Sequence, residues 1–264
     1  MLRFVCIKGS YHRHAFSLVE LSIVLVILGL LVGTVLSAQS LIRASELRSI
    51  SNDYFRFVTA TQTLRDKYFA LPGDITNATQ LWGVAHATPA TCYATASTGK
   101  ETCDGDGNGL VNSSAAGSNE TFRFWQHLSN AGLIEGTYSG VGGSAGAIHA
   151  VIGVNIPVSR IGLAGWSVVR MGYQTGAPYY TGEYGHIFGF GANGVAENDY
   201  TNNPIIKAED AFNIDTKIDD GNPTSGKVRS MKYSSRPNCV VSTDDAYALT
   251  STNIGCNLLF ITGF

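Results

Sequence analysis

The sequence has few charged side chains and no excess of positive ones. Asp, Glu, Lys and Arg make up 14% of its 264 residues, with 18 basic residues against 20 acidic ones. A protein that binds nucleic acid through its backbone phosphates usually clusters Lys and Arg on one face. The sequence has no such basic stripe, so it gives no support for a nucleic-acid-binding surface. Its 30 glycines instead favour a β-rich and loop-rich body outside the cytoplasm.

Motifs for catalysis are also missing. No HExxH pair and no GxSxG elbow occurs, and the histidines beyond residue 80 are scattered. The segment Gly140–Gly146 matches the phosphate-binding GxGxxG pattern only loosely, without an evident strand before it or helix after it. We therefore expect a surface loop over 136–146 and a protein that is not an enzyme. We expect Trp82, Trp125 and Trp166 to fill the core. We expect His127 to be a packed or surface residue and not a ligand, and none of His86, His149 and His186 belongs to a metal-binding pair.

One long apolar run dominates the N-terminal part of the chain. Between Phe16 and Ala38 the only ionisable side chain is Glu20. A run of this length is enough for a helix that crosses a bilayer, which takes about 20 residues. A carboxylate within such a helix costs roughly 2 to 3 kcal/mol unless it has a partner. The segment 16–38 is therefore predicted to span a membrane, and Glu20 needs an explanation.

The helix is predicted to continue well beyond the apolar run. Apolar side chains recur at steps of three and four residues, which indicates one buried stripe on a helix. The helix should extend to about Phe69 and end before Pro72 and Gly73, which do not continue a helix. The residues of the predicted stripe are Leu47, Ile50, Tyr54, Phe57, Val58, Thr61, Leu64 and Tyr68.

The remaining chain, 71–264, is predicted to form a globular head made mainly of antiparallel strands. Short apolar runs alternate with Gly, Asn and Pro, which is typical of strands and turns. Two amphipathic stretches, 120–132 and 208–221, predict short helices that end at glycines. The fold class is thus α+β, with a long N-terminal helix packed on a Gly-rich head. The predicted strands are 147–156, 165–172, 186–190 and 257–261.

Five cysteines are present, and four of them lie in the predicted head. A head outside the cytoplasm permits disulfides, and four cysteines allow three pairings. Pairing of nearest neighbours closes two short loops, so we favour Cys92 with Cys103 and Cys239 with Cys256. The fifth cysteine, Cys6, lies before the apolar run.

A candidate cation site follows Cys103 directly. Asp104, Asp106, Asn108 and the carbonyl of Leu110 present oxygens at alternate positions, as in the first half of an EF-hand calcium loop. The usual closing Glu would fall at position 115, which is Ala, and Glu120 or Asn112 are possible substitutes. Calcium and a plain Asp/Asn/Gly turn explain this pattern about equally well.

A second acidic cluster lies at the end of the second predicted helix of the head. Asp215, Asp219 and Asp220 precede Gly221 and Pro223, and these carboxylates are also candidates for binding a cation. A helix that ends in a tight turn explains the same residues, and we favour that interpretation.

The stretch from Ala15 to Leu21, Ala-Phe-Ser-Leu-Val-Glu-Leu, followed by the apolar run, resembles the N-terminal signature of type IV pilins and type II secretion pseudopilins. This resemblance covers residues 15 to about 38. It implies that 1–15 is a leader peptide, removed by cleavage between Ala15 and Phe16, and that 16–70 is the long assembly helix. Ala15 replaces the glycine that most members carry there, although it is also small. The disulfide Cys239–Cys256 resembles the C-terminal disulfide loop of pilins, and calcium sites known in pseudopilins raise the expectation for Asp104–Leu110.

The resemblance also implies partners and a location. A membrane prepilin peptidase would cut the leader and methylate the new amine of Phe16. The mature chain would span the inner membrane once, with a periplasmic head, and then enter a periplasmic or cell-surface filament of homologous subunits built by an inner-membrane platform and its ATPase. In a packed bundle, Glu20 of one subunit would neutralise the Phe16 amine of its neighbour. The alternative is a signal-anchored binding or hydrolytic domain that never polymerises.

Overall fold

A computed structural model of the chain describes residues 17–88, 92–97, 99–112, 120–193, 199–232, 234–242 and 246–264. The chain divides into two compact units, one that ends at Ser45 and one from Glu46 to Phe264. The predicted leader, 1–15, and the predicted cleavage residues Ala15 and Phe16 lie outside the described residues.

The long N-terminal helix is present as expected. Helix α1 runs from Leu18 to Tyr68, 51 residues in all. In the first unit its large apolar side chains, from Leu18 to Ile42, are all exposed. The most apolar window of α1 has a mean hydropathy of 2.6 and no buried residue. Among the described helices, α1 is the one long and apolar enough to cross a membrane.

The part of α1 in the second unit carries the predicted buried stripe. Six of its eight residues are buried, whereas Val58 and Tyr68 are half-buried. Ser49 and Ala60 are buried as well, because each lies beside the stripe on the helix surface. The helix ends at Tyr68, since Phe69 has a φ of 56°, in the left-handed region that does not continue a right-handed helix.

The second unit contains an antiparallel sheet of four strands. Strands β1 (Ala164–Arg170) and β4 (His186–Ala192) pair over their full lengths, and β8 (Leu258–Ile261) pairs with β4. The short strand β6 (Val228–Arg229) completes the order β1-β4-β8-β6. Two further pairs are antiparallel: β2 (Tyr173–Gln174) with β3 (Gly182–Glu183), and β5 (Ile206–Lys207) with β7 (Ile254–Cys256). The predicted α+β class is confirmed.

Three shorter helices are described in the second unit: α2 (Ala78–Trp82), α3 (Glu120–Asn130) and α4 (Ala208–Ile218). Helices α3 and α4 confirm the two predicted amphipathic helices, with ends two to three residues earlier than expected. After α3 the chain turns at Gly132, whose φ is 72°, a conformation that glycine adopts without strain.

One predicted strand is wrong. Residues 147–156 form turns, with a single isolated bridge between Ile152 and Ile156. The buried side chain of Asn155 donates to the carbonyls of Val141 and His149, both at 2.9 Å, and accepts from the backbone N–H of Val151 at 2.6 Å. This side chain satisfies local backbone groups that a strand would pair with a neighbour, so the apolar run does not join the sheet.

An aromatic cluster forms the centre of the core. The ring of Phe57 on α1 meets the rings of Trp125, Trp166 and Phe188 edge to face, with centroids 4.9, 5.7 and 6.1 Å apart. Trp125 and Trp166 are fully buried, as expected, whereas Trp82 is half-buried. These contacts join the second part of α1 to α3 and to the sheet.

The four cysteines of the head pair as the sequence favours. Cys92 bonds to Cys103 and Cys239 bonds to Cys256, with Cα–Cα distances of 5.9 and 4.9 Å. The first disulfide lies directly before the acidic loop that begins at Asp104. The second joins β7 to the segment that precedes Tyr247.

Candidate functional site

The start of α1 is closed by a hydrogen-bonded cap. The backbone N–H of Ser17 donates to Oε2 of Glu20 at 2.9 Å, and the backbone N–H of Val19 donates to Oγ of Ser17 at 3.3 Å. This reciprocal arrangement is a capping box, in which Ser and Glu three residues apart satisfy the first free N–H groups of a helix. We did not predict it, although the Ser-x-x-Glu spacing before an apolar run is its usual signal.

The cap gives Glu20 a defined place at the start of the apolar part of α1. The positive end of the helix dipole favours a carboxylate in the first turn, which offsets part of the cost of placing Glu20 beside apolar side chains. The carboxylate is the only ionisable group between Ser17 and Ala38. Chemically, this end of the helix can accept hydrogen bonds from a cationic group, such as an amine. The predicted donor, the amine of Phe16, lies outside the described residues.

Two of the predicted calcium ligands, Asp104 and Asp106, form hydrogen bonds with different parts of the chain. Both carboxylate oxygens of Asp104 accept hydrogen bonds from Thr79, one from its backbone N–H at 2.8 Å and one from its hydroxyl at 3.0 Å. Asp104 thus satisfies a free N–H in the first turn of α2. Asp106 instead accepts from the backbone and the side chain of Asn108, at 3.0 and 2.8 Å. Asn108 in turn accepts from the backbone N–H of Leu110 at 2.8 Å.

Asp106 lies in a different acidic group, together with Asp74 and Glu120. One oxygen from each of the three carboxylates lies within 4.8 Å of the other two. The backbone N–H groups of Gly107, Asn108 and Gly109 donate to Asp74 at 2.6, 3.1 and 2.8 Å. Those of Asp106 and Asn112 donate to Glu120 at 3.2 and 3.0 Å. Glu120 is the substitute ligand considered from the sequence, whereas Asp74 was missed because it lies about 30 residues before the loop.

Close packing holds the loop against Asp74. A Cβ on Gly105 would lie 2.4 Å from the Cα of Asp74, closer than real Cβ atoms approach a backbone. The backbone N–H of Gly105 also donates to the carbonyl of Ile75 at 2.9 Å. Glycine at position 105 therefore lets the two backbones touch, and this contact brings Asp74 to the acidic loop.

Burial and neighbouring carboxylates raise the pKa of two members of this group, Glu120 and Asp74. Burial, together with smaller effects of the charges of Asp106 and Asp74, raises the pKa of Glu120 to about 7. Burial also raises the pKa of Asp74. The hydrogen bonds from the backbone oppose these shifts, because they stabilise the charged form. Oxygen ligands of this kind suit Ca²⁺, which takes six to eight oxygens. The calcium site stays a prediction, and Asp74, Asp106 and Glu120 are the described carboxylates that lie close enough together to hold such an ion.

The second acidic cluster forms the turn that the sequence favours. Asp220 accepts hydrogen bonds from the backbone N–H of Asn222 at 2.8 Å and from the hydroxyl of Ser225 at 2.7 Å. Asp219 accepts one from the backbone N–H of Lys227. These bonds shape the loop that follows α4.

The histidine of α3 is a packed core residue, one of the two placements that the sequence left open. His127 is fully buried, and its Nδ1 accepts a hydrogen bond from the backbone N–H of Gly73 at 2.9 Å. Its Nε2 lies 2.9 Å from the hydroxyl of Thr102. Burial, together with a smaller effect of the nearby charge of Arg123, lowers the pKa of His127 to about 3. The ring is therefore neutral near pH 7 and ties the segment after α1 to α3.

Comparison with known proteins identifies the N-terminal motif. Residues 11–36 match the family model described as the prokaryotic N-terminal methylation motif, the signature of type IV pilins and pseudopilins. No curated protein and no solved structure matches the chain. An apolar N-terminal helix that carries this motif fits a membrane-anchored protein.

Proposed function

We propose that the chain is a structural subunit of a type IV pilus-like or type II secretion pseudopilus filament and that it has no catalytic role. The observation that carries the proposal is the methylation motif at residues 11–36, which runs directly into the exposed apolar helix α1. The motif supports processing by a prepilin peptidase between Ala15 and Phe16. The exposed helix supports assembly, because its apolar surface needs lipid or other helices around it.

Glu20 provides the assembly contact in this proposal. Cleavage at Phe16 creates an α-amino group one helical turn from Glu20. A carboxylate near the end of a membrane helix costs roughly 2 to 3 kcal/mol unless it has a partner. When neighbouring helices pack with a stagger, the Glu20 carboxylate of one subunit neutralises the amine of the next. Both charges then have a partner in a medium of low dielectric, which also fixes the register between subunits.

The capping box fits this role. Glu20 accepts from the N–H of Ser17 through Oε2, so the carboxylate is held beside the first turn of the helix. A carboxylate has two oxygens and several acceptor positions, so it can accept from Ser17 and from a neighbour's amine together. The Glu20 carboxylate therefore caps its own helix in the isolated subunit and also binds a neighbour's amine in the filament.

The proposed location follows from the helix and its flanking charges. Arg3, Lys8 and Arg13 precede the apolar run, and basic residues hold their end of a membrane helix in the cytoplasm. The chain then spans the inner membrane once, with the second unit in the periplasm. There the subunit awaits extraction into a filament by an assembly platform and its ATPase, alongside homologous subunits.

A substitution at Glu20 tests the proposal. In a host with the assembly machinery, Glu20→Ala should leave cleavage at Phe16 largely intact while the amount of chain in the filament fraction falls at least tenfold. Intact mass and sedimentation of sheared filaments measure the two effects. Asp66→Ala is the matched control, because Asp66 is an exposed carboxylate of α1 beyond the apolar run. It should leave both measurements unchanged.

Two results would contradict the proposal. Normal filaments from the Glu20→Ala variant would remove the role of this carboxylate in assembly. A wild-type chain that keeps residues 1–15 and never enters a filament would favour the signal-anchored domain instead.

A further inference from the structure

The residue that follows α1 is an aromatic in a conformation and an environment that aromatics rarely have. Phe69 has a φ of 56° and is 91% exposed. Glycine is the usual residue in the left-handed position after a helix, because any other side chain is strained there. Among the described residues, Leu163 is the one other non-glycine residue with a positive φ. Phe69 therefore accepts strain although its own chain buries almost none of its ring.

A groove of about 340 Å³ lies beside the second part of α1. The hydroxyl of Thr59 donates to the carbonyl of Phe55, and that of Thr63 donates to the carbonyl of Thr59, both at 2.8 Å. These two hydroxyls are thus bonded within the helix, and the groove presents mainly apolar surface. Its lining residues are Phe55, Arg56, Thr59, Ala60, Thr63 and Leu133.

The surroundings of Phe69 and of the groove carry opposite net charges. The last turn of α1 has two exposed basic residues and one exposed acidic residue: Arg65, Lys67 and Asp66. Beside the groove the balance is reversed. Besides burial, the charges of one basic and two acidic residues shift the pKa of the Tyr138 phenol, which places all three near it: Arg56, Glu135 and Asp53. The two surfaces are therefore complementary in charge.

A displacement along the helix axis brings the two surfaces of different copies together. Phe69 does not line the groove of its own chain. It lies ten residues after Thr59, which corresponds to about 15 Å along a helix. A parallel copy displaced by about this distance would place its Phe69 beside the groove. A filament of parallel, staggered subunits contains neighbours of this kind.

We propose that Phe69 is an assembly knob, which inserts into the groove between Phe55, Thr59 and Leu133 on a second copy of the chain. The inference rests on the proposed filament and adds a contact between heads to the contact made by Glu20. Knob and groove are different surfaces of one chain, so each subunit offers both and the contacts continue from copy to copy. An aromatic side chain that fills a pocket is a common hot spot of such interfaces.

Phe69→Gly separates a role in assembly from a role in the fold. Glycine removes the strain of the left-handed conformation and gives up almost no buried surface. In detergent, the full-length variant should therefore unfold at a urea concentration no lower than the wild type. In a host with the assembly machinery, its amount in the sheared filament fraction should fall at least tenfold. The control Tyr173→Ala changes another exposed aromatic and should leave both measurements unchanged.

A photoreactive residue identifies what the knob touches. p-Benzoylphenylalanine in place of Phe69 keeps an aromatic ring at this position. After ultraviolet irradiation of sheared filaments, mass spectrometry should find dimers in which residue 69 of one chain is joined to residues 55–63 or to Leu133 of another.

The outcomes distinguish the knob from the filament itself. Wild-type filaments with normal assembly of Phe69→Gly, or with cross-links from residue 69 to other surfaces only, would overturn the knob and leave the proposed function standing. Unfolding of Phe69→Gly at lower urea would assign the ring to the fold and also overturn the knob. If the wild-type chain forms no filaments, the proposed function fails and the knob fails with it.

Discussion

Glu120 allows a quantitative test of the acidic group formed with Asp74 and Asp106. Its side chain is 1% exposed, and burial is the largest cause that raises its pKa from 4.5 to about 7. The folded chain therefore holds this proton more tightly than the unfolded chain does. At 1.36 kcal/mol per pH unit, the difference corresponds to about 3 kcal/mol of stability that is lost as pH rises from about 4.5 to about 7. Above pH 7 the loss is complete and stays constant.

Glu120→Gln should remove this dependence. The amide side chain that replaces the Glu120 carboxylate cannot ionise, so the variant does not lose the stability of about 3 kcal/mol that the wild type loses as the pH rises. It retains one acceptor oxygen for the two backbone donors, Asp106 and Asn112, and the missing hydrogen bond costs about 1 kcal/mol. In EDTA at pH 8, we therefore expect the variant to be more stable than the wild type by about 2 kcal/mol. At pH 5 this advantage should disappear.

Urea denaturation of the full chain in detergent, followed by tryptophan fluorescence, measures the free energy of unfolding at each pH. The free energy of unfolding of the wild type depends on pH through several groups. Burial lowers the pKa of His127 and His186, so these residues make the folded chain more stable as the pH rises, which is opposite to the effect of Glu120. The difference between variant and wild type isolates Glu120. A difference that stays constant from pH 5 to pH 8 would refute the reasoning, and Glu135→Gln should show no difference at any pH.

Two further predictions concern the core and the cation. Phe57→Ala should destabilise the head by about 3 to 5 kcal/mol in the same urea assay, because this side chain is buried in the core. The control Phe55→Ala changes a half-exposed side chain and should alter the free energy of unfolding by no more than about 0.5 kcal/mol. Equal effects of the two substitutions would contradict the packing described. Calorimetry on the full chain, freed of EDTA, should show heat of calcium binding that Asp74→Ala or Asp106→Ala abolishes and Asp104→Ala retains. Absence of heat in the wild type would remove the calcium site.

The regular elements were predictable because each depends on nearby residues. The step of three and four residues from Leu47 to Leu64 gave the buried face of α1, and the glycines after α3 and α4 lie close to the ends of these helices. The pairing of the cysteines followed from the shortest loops. In these cases the structure that the local sequence favours is also the structure that the residues adopt in the fold.

The acidic group and the lost strand could not be predicted in the same way. Asp74 joins Asp106 and Glu120 only because Gly105 lets two backbones touch, a contact between segments far apart in sequence. Asp104 has the same spacing as a calcium ligand yet bonds to Thr79. The run 147–156 is apolar, as in a strand, but one buried amide, Asn155, holds it in turns. Contacts between distant segments decided the first two features, and the local hydrogen bonds of one side chain decided the third.

The identity of the first residue of the assembled chain tests the central claim most directly. Filaments sheared from cells that express the chain with its assembly machinery can be sedimented and their subunit weighed intact by mass spectrometry. The proposal predicts a polymer whose subunit begins at Phe16 and carries one added methyl group. A subunit that still contains residues 1–15 and remains with the membrane as a monomer would contradict it.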